Sequence, residues 1–120
     1  MKILIVDDAK IATEELSQLL KADGHITFEA ENGIQALQLL KKNTDIDLII
    51  TDYYMPEMDG ITMCERLHEV PELSIIPVIM ATTEVSDDIK EVAKKLGIIA
   101  WITKPYDPEL IVETIKQLEL

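Results

Sequence analysis

The chain has 120 residues, 48% of them hydrophobic, and its 11 Lys and Arg against 23 Asp and Glu give a formal net charge of -12. This length and apolar content suit a single domain with a buried core, so we expect residues 1–120 to form one domain without an output domain. The acidic charge argues against direct binding of nucleic acid or anionic lipid. The sequence has no apolar run long enough to cross a bilayer, and its single cysteine, Cys64, fits a reducing compartment, which predicts a cytoplasmic protein.

Short apolar runs and segments of helical periodicity alternate along the chain. In chain order we predict a strand at residues 3–6, a helix around 12–20, a strand at 25–30, a helix around 33–40, a strand at 48–50, a helix around 60–67, a strand at 76–80, a helix around 89–96, a strand at 98–102 and a helix around 111–118. Four of the strands are continuously apolar, as expected of parallel strands covered on both faces. Residues 25–30 alternate instead, with Ile26, Phe28 and Ala30 on one side, which predicts an edge strand.

Helix-terminating and helix-capping residues agree with these boundaries. Gly24 and Gly97 follow predicted helices, at positions where helices often end in a left-handed backbone conformation. Asp59 can cap the third helix, and Asp107 can cap the fifth, which begins with a proline. Five strands alternating with five helices predict βα units with right-handed crossovers. We therefore expect an α/β, doubly wound, five-stranded parallel sheet of flavodoxin-like order 2-1-3-4-5 with five helices.

Polar side chains follow the predicted strands at the positions where each strand ends. They are Asp7, Asp8, Asp52, Thr82, Thr83 and Lys104. Ligands of open parallel sheets bind at the carboxyl ends of the strands, and the expected strand order brings the three acids together there. Two carboxylates ~4 Å apart repel by about 4 kcal/mol at an effective dielectric of 20. A hard cation such as Mg2+, together with the lysine, relieves that repulsion. Taken singly, each acid is better explained as a solvated strand end or a helix cap, but that explanation does not account for three acids converging with a lysine.

The segment after the first strand excludes two other kinds of phosphate site. Residues 6–9 read VDDA, so the glycine-rich loop of dinucleotide-binding and P-loop proteins is missing there. Metal-assisted phosphoryl chemistry accounts better for clustered acids and a lysine. After Asp52, the sequence MPEMDG at residues 55–60 predicts a shaped loop, because Pro56 disfavours helix at Met55 and Gly60 relaxes the backbone where the third helix begins.

These residues carry a family resemblance. The chain resembles the receiver domains of two-component response regulators over essentially all of its length, through the sequence IVDD at residues 5–8, Asp52 with MPEMDG at 55–60, Thr82, and Lys104 followed by proline. Each motif is weak alone, but their order and spacing are specific. The resemblance implies a single-domain response regulator, either of chemotaxis type or a shuttle in a phosphorelay, that acts as a signalling switch and not as an enzyme in the ordinary sense.

The resemblance also implies a role for each site residue. Asp52 is the phosphoacceptor, and the phosphoryl group comes from the phosphohistidine of a histidine kinase or phosphotransfer protein. Asp8 and Asp52, with the backbone carbonyl of Tyr54, bind Mg2+ or Mn2+, and Asp7 acts mainly through water. Lys104 and Thr82 contact the phosphoryl oxygens, which completes the expected reaction site.

A switch is expected to follow phosphorylation. The resemblance implies that Thr82 is drawn towards the phosphoryl group and that Trp101, three residues before Lys104, turns inward. The face formed by the fourth predicted helix, the fifth strand and the fifth helix then shifts in population and binds a downstream protein target. Trp101 is alternatively an ordinary amphipathic core residue at a strand end.

Three flanking positions are expected to tune the chemistry. Thr83 stands where the family more often has a small residue, so we expect narrower access for the phosphodonor. Tyr54 and Glu84 lie two residues after Asp52 and Thr82 and are expected to affect dephosphorylation. The sequence leaves open whether the Lys104-Pro105 bond is cis.

Two other functions remain open at this point. The first is a pseudo-receiver, a protein-binding module that keeps the fold and signals without phosphorylation; the intact signature positions argue against it. The second is a metal-dependent phosphohydrolase of external substrates. Such enzymes usually carry a second acid two residues after the nucleophile, where this chain has Tyr54.

Overall fold

The computed structural model describes residues 1–43, 45–83 and 86–118. Within these residues the chain forms five strands and six helices. The strands are β1 (Lys2–Val6), β2 (Ile26–Ala30), β3 (Leu48–Thr51), β4 (Val78–Thr82) and β5 (Ile98–Thr103). The helices are α1 (Lys10–Ala22), α2 (Gly33–Lys42), α3 (Gly60–His68), α4 (Pro71–Ser74), α5 (Asp87–Lys94) and α6 (Pro108–Leu118). Each predicted strand therefore corresponds to an observed one.

The strands form one sheet in the order β2-β1-β3-β4-β5. Every neighbouring pair is parallel. This confirms the doubly wound fold and the predicted strand order, with β2 at one edge. In this order β1 and β3 are neighbours, and Val6 at the end of β1 is paired with Thr51 at the end of β3. The residues that follow these two strands therefore leave the sheet side by side.

The number of helices differs from the prediction. Five helices are expected from the sequence, and the described residues form six, because α4 is a separate helix of a single turn between α3 and β4. One turn is too short to produce a recognisable 3.6-residue period. Pro71 occupies its first turn, where the missing amide hydrogen is tolerated. The fourth and fifth predicted helices are consequently α5 and α6.

The hydrophobic core has two layers, one on each face of the sheet. Leu4 and Val6 of β1 pack with buried side chains of α2 and α3. Ile3 and Ile5 of the same strand pack on the opposite face with buried side chains of α1 and α6. Because successive residues of a strand point to opposite faces, both sets are apolar, as the continuous run predicts. Each fully buried Leu or Ile stabilises the fold by about 1.5–3 kcal/mol.

The predicted helix signals are found at the helix ends. Asp59 caps α3, its carboxylate accepting a 2.8 Å hydrogen bond from the Thr62 amide. The Asp107 carboxylate accepts an amide hydrogen bond in the first turn of α6. Gly24 and Gly97 have φ values of 92° and 77°, the left-handed region that glycine adopts without strain. No helix within the described residues is both long and apolar enough to cross a membrane.

Candidate functional site

Two buried carboxylates lie at the carboxyl edge of the sheet. Asp7 follows β1 and is 9% exposed, and Asp52 follows β3 and is 8% exposed. The amide of Asp52 still donates to the carbonyl of Val6, at 3.0 Å, so the chain remains attached to β1 at the start of the loop. Buried carboxylates need compensating charge or hydrogen bonds, since desolvation of a lone charge is strongly unfavourable.

The ammonium group of Lys104 supplies that compensation. Its Nζ atom donates to Asp7 Oδ2 at 2.6 Å and to Asp52 Oδ2 at 2.8 Å. Lys104 comes directly after β5, the neighbour of β4 in the sheet. Its amide donates to the carbonyl of Thr82, the last residue of β4, at 2.9 Å, and this bond holds the Lys104 backbone in place. Three segments far apart in sequence therefore bring two acidic side chains into contact with one lysine. The expected convergence of Asp7, Asp52 and Lys104 is observed.

The electrostatics of this triad keep Lys104 charged. Burial by itself lowers the pKa of Lys104, but its hydrogen bonds to Asp52 and Asp7 and the negative charges of both acids outweigh this effect. The pKa of Lys104 therefore lies above its ordinary value of 10.5. A cation that stays protonated throughout the physiological range can neutralise negative charge on whatever binds between the two acids.

The second oxygen of each carboxylate is held by the main chain. Asp7 Oδ1 accepts from the amide of Ala9 at 2.9 Å, and Asp52 Oδ1 accepts from the amide of Tyr54 at 3.2 Å. Each acid thus has one oxygen on a backbone amide and the other on Lys104. Hydrogen bonds of this kind fix the orientation of a carboxylate. Asp52 is presented as an oriented anion.

The third predicted acid, Asp8, is placed differently. Its side chain is exposed at the end of β1. Across residues 1–43, 45–83 and 86–118, no three His, Cys, Asp or Glu side chains are grouped closely enough to form a complete metal cage. Mg2+ usually takes only one or two carboxylates and keeps several waters. The hard oxygens of Asp7 and Asp52 converge at Lys104 and fit that sparse kind of site, whereas the expected grouping of Asp8 with these two acids is not found.

Of the remaining predicted residues, Thr82 and Trp101 lie in β4 and β5, and Tyr54 lies in the loop after β3. Thr82, the last residue of β4, is fully buried, whereas Thr83 is exposed and lines a cavity of about 450 Å³ beside Lys104. Trp101 is half-buried in β5, paired with Met80, and the Lys90 ammonium lies 5.8 Å from the centre of its ring. Tyr54 is 53% exposed, with its ring edge-on to Tyr53. The third tuning position, Glu84, lies outside the described residues.

The loop after Asp52 is closely packed. Gly60 leads into α3, and a Cβ atom at this position would lie 2.4 Å from the Asp52 carbonyl oxygen. The glycine is thus required by close packing against the loop, which is a more specific reason than the backbone freedom inferred from sequence. Glu57 has a φ of 70°, a conformation that is unusual for a residue with a side chain. The Lys104-Pro105 peptide bond is cis.

One residue of the site was not predicted. Tyr106 lines a cavity of about 10 Å³ together with Asp7 and Asp52, and it also lines the larger cavity beside Lys104. Burial raises the pKa of Tyr106 above 10.0, and the two nearby acids add to this effect against the opposing influence of Lys104. Its position two residues after the lysine was the only available signal in the sequence.

The family model described as the response regulator receiver domain matches residues 3–116. This chain belongs to that family. The matched segment contains all five strands and both acids of the triad as well as its lysine.

Individual relatives agree with the family assignment. The chain is 34% identical over 119 residues to a chemotaxis protein CheY homolog of Campylobacter jejuni (serotype O:23/36, strain 81-176), covering 98% of this chain and 92% of the relative. It is 33% identical over 117 residues to chemotaxis protein CheY1 of Helicobacter pylori (strain 26695), covering 97% of this chain and 94% of the relative. The solved structure of Vibrio cholerae CheY4 superposes with a TM-score of 0.89 at 31% identity, covering 97% of this chain and 96% of that one.

Proposed function

We propose that this receiver domain is a single-domain response regulator that accepts a phosphoryl group on Asp52 from a phosphohistidine donor. The observation that carries the proposal is the bridging ammonium of Lys104, 2.6 Å from Asp7 and 2.8 Å from Asp52. Without it, two buried carboxylates would repel each other and an incoming phosphoryl group. With it, the site holds a nucleophile and a permanent positive charge for the transferred group.

The reaction is a displacement at phosphorus. A carboxylate oxygen of Asp52 attacks the phosphoryl group of the donor histidine, a new P–O bond forms, and the P–N bond to the imidazole breaks with its electron pair leaving on nitrogen. The product is an aspartyl phosphate. Lys104 donates to Asp52 in the unmodified state. After transfer, its ammonium can donate to the phosphoryl oxygens and stabilise their negative charge. Water later hydrolyses this mixed anhydride, so the signal decays in the same site.

Divalent metal is part of the proposal. Asp8 and Asp52, with the Tyr54 carbonyl, would hold Mg2+ or Mn2+, and Asp7 would act mainly through water. The metal would neutralise negative charge on the phosphoryl oxygens. The orientation of Asp52 by the Tyr54 amide, at 3.2 Å, supports this arrangement because it brings the Tyr54 main chain next to the acid.

The proposed output is a change on the α5–β5–α6 face. Thr82 contacts the phosphoryl group, Trp101 turns inward, and a downstream protein binds the altered surface. The face already exposes apolar side chains, since Val92, Ile99 and Leu110 are 47%, 43% and 48% exposed. Exposed apolar groups on a shared face are typical of protein-binding surfaces. The direction of the response, gain or loss of a partner, is decided by which state the partner prefers.

Trp101 is the only tryptophan in the sequence, so its fluorescence can be followed without a contribution from another indole. We expect its fluorescence to change when Mg2+ is added, and again when beryllofluoride or acetyl phosphate follows. Asp52→Asn is expected to abolish the response to both phosphoryl reagents, because it removes the nucleophile. Asp23→Asn is the matched control, an acid at the far end of α1 that is expected to behave as wild type.

The two alternative functions give different results in the same experiment. A pseudo-receiver would show no reagent response in either wild type or Asp52→Asn. A phosphohydrolase would release inorganic phosphate continuously from added phosphomonoesters, which we do not expect here. If wild type and Asp52→Asn respond equally, Asp52 is not the acceptor. Capture of a partner only by the beryllofluoride-treated protein, or its loss on treatment, would support the output face; identical capture in both states contradicts it.

A further inference from the structure

The Thr51 hydroxyl is a buried polar group that the proposed reaction does not use. Thr51 is the last residue of β3, is 1% exposed, and immediately precedes Asp52. Its Oγ1 atom donates to the carbonyl oxygen of Asp52 at 3.0 Å and lies 3.8 Å from the sulfur of Met55. Valine would fill nearly the same volume at this buried position without a polar atom, so packing alone does not require the hydroxyl. We therefore expect the Thr51 hydroxyl to have a role other than packing.

The carbonyl that receives this hydrogen bond is held on two sides. The hydroxyl of Thr51 approaches it from the strand, and Gly60 packs against it so tightly that a Cβ atom there would be 2.4 Å away. The amide of Gly60 also donates to the Tyr53 carbonyl at 2.8 Å, which closes the loop after Asp52. These contacts restrain rotation of the peptide unit that joins Asp52 to Tyr53.

The orientation of that peptide unit affects the orientation of the Asp52 carboxylate. It leads to the Tyr54 amide, which returns to Asp52 Oδ1 at 3.2 Å. If the unit rotates, the amide moves and the carboxylate loses one of the bonds that orient it. A nucleophile must be held close to its attack geometry, and small displacements slow a reaction substantially.

We propose that Thr51 is a positioning residue that aligns Asp52 for phosphoryl acceptance through its hydroxyl bond to the Asp52 carbonyl. The proposal rests on the proposed function for its kinetic consequence, but its structural half concerns the unmodified protein alone. It assigns the hydroxyl a task that is separate from the packing of the methyl group, and the two can be removed independently.

Three variants separate these contributions. Thr51→Val keeps the branched shape and removes the hydroxyl, whereas Thr51→Ser keeps the hydroxyl and removes the methyl group. Thr114→Val is the control, because Thr114 in α6 lines neither cavity of the site and its hydroxyl also donates to a main-chain carbonyl, that of Leu110, at 2.7 Å. Urea denaturation of each variant establishes that the compared proteins are folded.

The first measurement is amide hydrogen exchange at Tyr54 in metal-free protein. We expect Thr51→Val to exchange about tenfold faster than wild type, the loss of protection that corresponds to one net hydrogen bond. The second is the rate of phosphoryl acceptance from acetyl phosphate with saturating Mg2+, which we expect to fall by about tenfold in the same variant. Thr51→Ser is expected to restore both, and Thr114→Val to alter neither.

The inference is overturned if Thr51→Val keeps wild-type exchange at Tyr54 or a wild-type rate. It is also overturned if Thr51→Ser is as impaired as Thr51→Val, because packing of the methyl group would then explain the effect. If wild type itself accepts no phosphoryl group, the proposed function fails, and exchange at Tyr54 still decides whether the hydroxyl orients Asp52.

Discussion

Replacing Lys104 with methionine removes the positive charge that lies between Asp7 and Asp52. Methionine keeps most of the side-chain stem, so the change is mainly electrostatic. The two carboxylates, whose side chains are 10% and 11% exposed, then face each other without their shared cation. Two charges ~4 Å apart at an effective dielectric of 20 repel by about 4 kcal/mol. Because the Lys104 side chain is 20% exposed, solvent screening reduces the net effect, and we expect destabilisation by about 2–3 kcal/mol at neutral pH.

The pH dependence of this effect has a definite sign. The pKa of Lys104 in the folded protein lies above 10.5, the ordinary value of a lysine side chain in an unfolded chain. A cation with a raised pKa contributes its full stability below the unfolded value and loses it as the pH rises through the folded value. The stability difference between wild type and Lys104→Met is therefore expected to be constant from neutral pH to about pH 10 and to shrink above it.

Urea denaturation followed by circular dichroism measures the free energy of unfolding of both proteins. Lys116→Met is the control, because this lysine pairs with Asp23 at 3.7 Å with its own side chain 54% exposed, and we expect less than about 0.5 kcal/mol there. Equal stability of wild type and Lys104→Met, or a more stable variant, would show that the ammonium is not needed to hold the acids together.

Two further predictions concern the core and the loop. Burial raises the pKa of Cys64 to about 12, so we expect no alkylation by iodoacetamide in native protein at pH 8 and rapid labelling in urea; labelling at equal rates contradicts this. Gly60→Ala is expected to destabilise by about 2 kcal/mol because the new methyl meets the Asp52 carbonyl. Gly33→Ala meets only the flexible side chain of Met58, and its urea midpoint is expected to stay near that of wild type. Equal losses in the two alanine variants would argue against the backbone contact.

The fold was predictable because its signals are local. Continuous apolar runs of strand length identified β1, β3, β4 and β5, and the alternating segment identified β2 as an edge strand. That alternation was only partly informative, however. Ile26 shares one side of the strand with Phe28 and Ala30 in the sequence pattern, but it is 56% exposed. It begins an edge strand, where only β1 adjoins, so an apolar side chain there is not necessarily covered.

The site was predictable where residues follow strands directly. Asp7, Asp52 and Lys104 could be grouped because parallel strands bring their carboxyl ends to one edge. The contacts that orient them could not be inferred in this way. The hydroxyl of Thr51 and the ring of Tyr106 acquire their roles from backbone turns and from packing between distant segments. Hydrophobic periodicity in the sequence carries no information about such contacts.

The measurement that tests the central claim most directly is the site of phosphorylation. The protein is incubated with Mg2+ and acetyl phosphate, the acyl phosphate is reduced with borohydride, and peptides are sequenced by mass spectrometry. We expect one phosphoryl group per molecule, located at Asp52 and dependent on Mg2+, and none in Asp52→Asn. Modification at another residue, or no modification under conditions in which an established response regulator is labelled, would contradict the account.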